Sequence, residues 1–194
     1  MESLFKIVPF EGKGVGWVAL QDIKIGTLIL KEICQLAPKI QNDLWSLMDS
    51  FFSMTKFDQE DFLNLNNAFK NPDFFMSKKE AGNWMAFANH YSTNKKPEVD
   101  RELVLKIICT FESNKFVGSV AIKSSMINHS CCFSNAFSYE KDGRMEVRAT
   151  HKIKQGQEIT ISYDANNKWQ FTMQKCEKRQ EFIRCQSPKY ENGF

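Results

Sequence analysis

A chain of 194 residues with 42% apolar and 13% aromatic side chains is long enough to bury one sizeable core, and its composition argues against disorder. The formal charge is only +3, with acidic and basic residues interleaved, which predicts neither a nucleic-acid surface nor a membrane-binding face. No apolar run reaches the roughly 18–20 residues that span a bilayer, and the opening Met1-Glu2-Ser3-Leu4-Phe5 lacks the basic and apolar regions of a secretion signal, so an intracellular protein of the nucleus or cytoplasm is expected.

The first forty residues read as β-rich. Leu4 to Phe10 alternates in part, Gly12 to Gly16 is a glycine-punctuated turn, and Trp17-Val18-Ala19-Leu20 resumes an apolar strand. Asp22 to Thr27 makes a second turn before the short buried strand Leu28-Ile29-Leu30. Around Asn42 the period changes. Leu44, Leu47, Met48, Phe51 and Phe52 fall on one face of an amphipathic helix that Asn42 or Asp43 can cap. A second helix is expected over Asp58–Phe69, with Phe62, Leu65 and Phe69 on one side. Ser77-Lys78-Lys79-Glu80 is a capping-box pattern opening a third, which carries Trp84, Phe87, Ala88 and Tyr91. A polar loop over Ser92–Pro97 and a fourth helix over Glu98–Phe111 follow.

From Phe116 short strands return. The Asp142-Gly143 pair signals a hairpin. Met145–Ala149 and Glu158–Tyr163 alternate as strands, with a turn over Ile153-Lys154-Gln155-Gly156 between them. The polar tail has apolar points at Trp169, Phe171, Phe182 and Ile183 and suggests a helix over about 169–184. Neither β half has enough strands to close a core alone. The helical stretch 41–112 therefore reads as an insertion between strands 1–40 and a second β portion 113–165 of one α+β domain, with 166–194 as a helical C-terminal segment.

Three segments carry the chemistry: Lys13-Gly14-Val15-Gly16-Trp17, Met126-Ile127-Asn128-His129-Ser130-Cys131, and Glu158-Ile159-Thr160-Ile161-Ser162-Tyr163-Asp164. Together and in this order they resemble the signature motifs of SET-domain protein lysine methyltransferases. That resemblance covers roughly 5–35 and 105–185, and matches the helical block only in type. It implies a β-rich SET domain of short strands in which the last two segments thread past each other in a pseudo-knot. It also implies S-adenosyl-L-methionine as cofactor and a lysine-bearing protein or peptide, histone or non-histone, as substrate. Asn114-Lys115-Phe116 resembles an element of the SET-and-MYND branch, whose asparagine contacts the cofactor. The MYND zinc finger itself is absent, since no cysteine lies between 34 and 109.

Methyl transfer from a sulfonium to an amine is an in-line displacement that needs alignment and desolvation of an uncharged lysine. It asks for no covalent nucleophile, only backbone acceptors, a hydroxyl or two and an aromatic channel. The resemblance places Lys13, Gly14, Val15, Gly16 and Trp17 at the cofactor, where glycine lets the main chain approach closely; read alone, the Gly-x-Gly is a plain hairpin turn. It gives Asn128 the amino end of the cofactor, the His129 main chain the adenine, and Tyr163 the catalytic hydroxyl. Without the other motifs, Tyr163 reads as a core tyrosine with its hydroxyl at the surface, and Asn114 as a helix terminator. Phe182 or Trp169 is the candidate aromatic lid over the cofactor.

Two departures from the family pattern matter. The asparagine that follows the Asn-His-Ser-Cys motif is Asn135, one residue late and without a preceding proline, so that turn must be rebuilt. Cys131, Cys176 and Cys185 are too few for the closed zinc site that many relatives carry, and no metal is expected. These departures favour one alternative reading, a catalytically weak SET module that binds cofactor or a partner; a plain interaction domain working through its helices is a second.

Overall fold

The computed structural model describes residues 3–11, 13–65, 78–116, 118–130 and 133–163. In chain order its elements are strands β1 (Phe5–Phe10), β2 (Gly14–Ala19) and β3 (Leu28–Ile33), helices α1 (Leu44–Ser53), α2 (Lys56–Leu63), α3 (Lys78–His90) and α4 (Arg101–Asn114), then strands β4 (Asn128–His129), β5 (Ala136–Lys141), β6 (Arg144–Ala149) and β7 (Glu158–Ile161). They fall into two compact units. One combines the chain up to Lys31 with Met126–Lys141 and Met145 onward; the other holds Glu32–Ser125 and Asp142–Arg144.

In the first unit β1 and β2 form an antiparallel hairpin that is already paired at Phe10 and Gly14. The expected turn through Gly16 is thus shorter than its glycines suggest. Gly14 begins the strand at φ +80°, a conformation that side-chain-bearing residues rarely adopt. Trp17 is fully buried and stacks on Phe5 with ring centroids 3.7 Å apart. β7 joins β2 antiparallel, Trp17 facing Ile159, and β4 runs parallel to β7, with Asn128 facing Thr160 and His129 facing Ile161. The sheet order is β1-β2-β7-β4. β7 lies inside this sheet, which is why Ile159, Thr160 and Ile161 are all buried instead of alternating.

A second sheet has the order β3-β6-β5. Asp142 and Gly143 both have positive φ, the conformation that a two-residue hairpin between right-twisted strands requires. The buried Glu146 of β6 accepts from Lys31 Nζ at 2.6 Å, Tyr139 Oη at 2.5 Å and Arg148 at 3.0 Å. This compensation is what lets a carboxylate lie inside.

The helical unit follows the apolar periodicity, with three corrections. α2 starts at Lys56, two residues before the expected Asp58, because Thr55 caps it: its hydroxyl accepts from Asp58 N and donates to the Asp58 carboxylate. The helix ends at Leu63, and Phe69 lies outside the described residues, as does Ser77 of the expected capping box. α4 starts at Arg101 behind Asp100, whose carboxylate accepts from Glu102 N, and continues through Asn114. Where a polar loop was expected, Tyr91–Lys95 continues α3 as one wide π-helical turn. Tyr91 explains it: the ring is buried and packs near Trp45, Phe52 and Phe87, and that packing overrides the polar composition of the residues after it. Leu47, Met48, Phe51 and Phe62 are also buried, each such side chain being worth about 1.5–3 kcal/mol.

Candidate active site

The parallel pairing of β4 with β7 brings two of the three motif segments side by side, and β2 supplies the third from the other edge of β7. Tyr163 follows β7 by two residues, so the strand ends earlier than the expected Glu158–Tyr163. Its N–H donates to Nδ1 of His129 at 2.9 Å and its hydroxyl donates to the carbonyl of Ile127 at 2.7 Å. A nitrogen that accepts an N–H carries no proton, so a neutral His129 has its proton on Nε2. The His129 and Tyr163 rings lie 5.0 Å apart. Tyr163 exposes 49% of its surface as a whole, while its hydroxyl is bonded onto Ile127. Burial, with a smaller contribution from Glu158, pushes its hydroxyl up to about 12. At neutral pH it is a protonated phenol whose proton is committed to Ile127, which leaves its lone pairs available.

Asn128 lies at the head of β4. Its Nδ2 donates to Oε1 of Glu158 at 2.8 Å, and Lys13 Nζ sits 3.3 Å from Oε2 of the same carboxylate. A Cβ on Gly16 would come within 2.4 Å of Asn128 Nδ2 and 2.9 Å of the Phe10 ring, so glycine there makes the space that the amide fills. A Cβ on Gly14 would meet nothing within 4 Å, and Val15 is 43% exposed, so the main chain at this turn is open to a ligand.

The late asparagine also finds its place. Asn135 is buried, donates from Nδ2 to the Glu158 carbonyl at 2.8 Å and accepts from Thr160 N at 3.0 Å, while its own N–H donates to the Thr160 carbonyl at 3.2 Å. It bonds along β7 as a strand would, and so holds the segment after the motif across that strand. Ser130 continues the arrangement, its N–H donating to Ile161 O and its hydroxyl accepting from Phe133 N. Ser130 and Asn135 are therefore both bonded to β7 without the proline.

Lys13, Gly16, Asn128, His129 and Tyr163 are thus assembled in one unit. Trp17 contributes main chain only, because its indole is core. Asn114 belongs to the other unit, at the last turn of α4, where Nδ2 donates to the Thr110 carbonyl at 2.8 Å. Phe182 and Trp169 lie outside the described residues. Among the described residues no group of three His, Cys, Asp or Glu side chains is placed to hold a metal ion, and Cys131, Cys176 and Cys185 lie outside them. No described helix is long and apolar enough to cross a membrane. Sequence reasoning passed over Glu158, which holds both Lys13 and Asn128. The available signal was a carboxylate opening a strand otherwise made of apolar and hydroxyl residues.

The residues present fit a sulfonium amino-acid cofactor: an open glycine turn for its carboxylate and amine, and an asparagine whose Oδ1 receives no hydrogen bond among the described residues. The SET domain family model matches residues 14–164. A search of curated proteins finds no match. Solved structures with a similar fold include the SET domain of LSMT bound to lysine and AdoHcy (14% identity, TM-score 0.55), Rubisco LSMT bound to AdoMet (15%, 0.52), and Rubisco LSMT bound to sinefungin and monomethyllysine (15%, 0.51). The alignments cover 86%, 86% and 85% of this chain, and 50%, 49% and 49% of those chains. The chain spans about half the length of these three structures.

Proposed function

The chain belongs to the SET domain family, and from that premise we propose that it transfers a methyl group from S-adenosyl-L-methionine to the ε-amine of a lysine in a protein or peptide. The observation that carries this reading is the double anchoring of Tyr163, by Oη on Ile127 and by its N–H on His129. The cofactor, when bound, supplies an electrophilic methyl on sulfur.

The protein's own groups do the rest. The open turn at Gly14 and Val15 and the Asn128 amide take the amino-acid end of the cofactor. The Tyr163 oxygen, its proton committed to Ile127, turns lone pairs toward the reacting amine and the polarised methyl, a preorganised electrostatic contribution. A phenol raised to about 12 is too seldom ionised at neutral pH to serve as the general base. The target lysine, with an ordinary pKa near ~10.4, therefore delivers its proton to water before the methyl moves.

A place beside the SET-and-MYND branch, a histone or non-histone substrate, and an intracellular setting in nucleus or cytoplasm complete the proposal. The Asn114-Lys115-Phe116 element supports the first, and a formal charge of only +3 favours neither of the two substrate classes. The test is transfer of labelled methyl from S-adenosylmethionine to histones, other proteins and lysine peptides. Label on lysine that disappears in Tyr163→Phe supports the reading; no label on any of them, from protein that binds cofactor, overturns it.

A further inference from the structure

Gly16 and Glu158 both face the Asn128 amide, and only one of them decides which way round it sits. Gly16 leaves the space, since a Cβ there would meet Nδ2 at 2.4 Å. Space alone does not distinguish the oxygen of an amide from its nitrogen, which have nearly the same size. Glu158 does. An ionised carboxylate only accepts hydrogen bonds, so the group facing its Oε1 at 2.8 Å must be the NH2 end. The carbonyl end is then directed away from Glu158, and it receives no hydrogen bond among the described residues. Lys13 Nζ, 3.3 Å from Oε2, sets a cation against the other oxygen of the same carboxylate, with both side chains mostly shielded from solvent.

Resting on the cofactor reading above, we infer that Glu158 is a positioning residue: it sets the amide of Asn128 so that Oδ1 is presented, and thereby makes the site selective for a cofactor carrying a protonated α-amine. An ammonium can only donate. A flipped amide would put NH2 against it, and the site would then disfavour the amine. Lys13 acts in the same device through Glu158.

The consequence is a discrimination that can be measured. The wild type should bind S-adenosylhomocysteine more tightly than its des-amino analogue, which lacks the α-amine. Glu158→Gln has the same shape but offers an NH2 of its own, so it no longer dictates the orientation of Asn128. It should weaken S-adenosylhomocysteine binding by about ten-fold, since one charge-assisted hydrogen bond is at stake. Binding of the des-amino analogue should hardly change. In an Asn128→Ala background the same substitution should alter affinity by less than about two-fold, because Glu158 acts only through the amide.

Equal weakening for both ligands, or an undiminished effect of Glu158→Gln in the Asn128→Ala background, overturns the inference while leaving the cofactor reading intact. Failure of the wild type to bind S-adenosylhomocysteine overturns both. Should Glu158→Gln not fold, side-chain amide NMR on the wild type decides. The Asn128 Nδ2 protons, assigned by their loss in Asn128→Ala, should stay protected from exchange in free and S-adenosylhomocysteine-bound protein alike. Loss of that protection on binding overturns the assignment.

Discussion

The hydroxyl of Tyr163 donates to the main-chain carbonyl of Ile127, 36 residues earlier in the chain, at 2.7 Å. A side chain just past the end of β7 is thereby fixed by the residue that immediately precedes β4. Position is set by two hydrogen bonds, from the N–H onto the His129 ring and from the hydroxyl onto the Ile127 main chain.

Replacing Tyr163 with phenylalanine removes one of those anchors and leaves the other. The fold and most of the cofactor affinity should remain, while the single-turnover rate falls on the order of 10²–10³-fold, the range for deleting one preorganised polar group. Calorimetry and single-turnover kinetics on the same protein separate the two effects. A variant that loses both together would make Tyr163 a binding residue.

Gly16→Ala and Gly14→Ala should behave differently. At Gly16 the new methyl would overlap Asn128 Nδ2 and the Phe10 ring, so overpacking should cost about 1–3 kcal/mol and also displace the amide that receives the cofactor. Gly14 faces open space, and alanine there meets only the strain of φ +80°, roughly 1 kcal/mol. Urea melts should show both losses, and a cofactor titration should show a large change for Gly16→Ala.

Asn135→Ala strips hydrogen bonds from both the Glu158 carbonyl and the Thr160 N–H. Each unpaired buried group costs about 1–3 kcal/mol. The melting temperature should drop, and hydrogen exchange should speed up at Thr160 more than in α4. Unchanged protection at Thr160 would mean that the side chain is not what holds the turn on β7.

Glu146 is held down to about 2 by its hydrogen bonds from Lys31, Tyr139 and Arg148, against an ordinary value of 4.5. The folded protein therefore binds this proton more weakly than the unfolded chain. The stability this group contributes is fully present above pH 4.5 and is lost as pH falls toward about 2. Tyr163 is the alkaline counterpart: raised from 10.0 to about 12, it withdraws stability as pH rises through that interval. Glu146→Gln should flatten the acid limb of a stability–pH curve, and Tyr163→Phe the alkaline limb.

Burial pushes the Cys109 thiol up to about 11, with a smaller push from Glu112. The thiolate is the reactive form. Cys109 should resist iodoacetamide at pH 8 in native protein and react once the protein is unfolded, with mass spectrometry as the readout.

Much of this was legible in the chain because it depends on local signals. The apolar spacing from Leu44 to Phe52 marks α1, and Asp142-Gly143 marks its hairpin. The motif segments gave Asn128, His129 and Tyr163 through resemblance. What could not be read there is set by partners distant in sequence. Nothing near Glu158 announces that Lys13 and Asn128 share its carboxylate, and nothing near Asn135 announces that its amide bonds along β7. Likewise Ser92 to Lys95 reads as loop until Tyr91 is seen buried among aromatic rings. Trp17, open to reading as a cofactor contact, contributes its indole to the core because Phe5 lies flat against it.

The order β1-β2-β7-β4 also has a consequence for how the chain is made. The β1–β2 hairpin leaves the ribosome before β7, since Val18 pairs with Glu158, about 140 residues later. At roughly 5–20 residues per second the free edge of β2 waits on the order of ten seconds for its neighbour. Over that time Glu32–Ser125, contiguous and rich in local helical contacts, has already been synthesised and can fold. The hairpin meanwhile presents Trp17 and Val18 beside an unpaired row of backbone donors and acceptors, the kind of edge from which misassociation spreads. Yield of active protein should therefore depend on translation speed between Ser125 and Ile161 more than anywhere upstream.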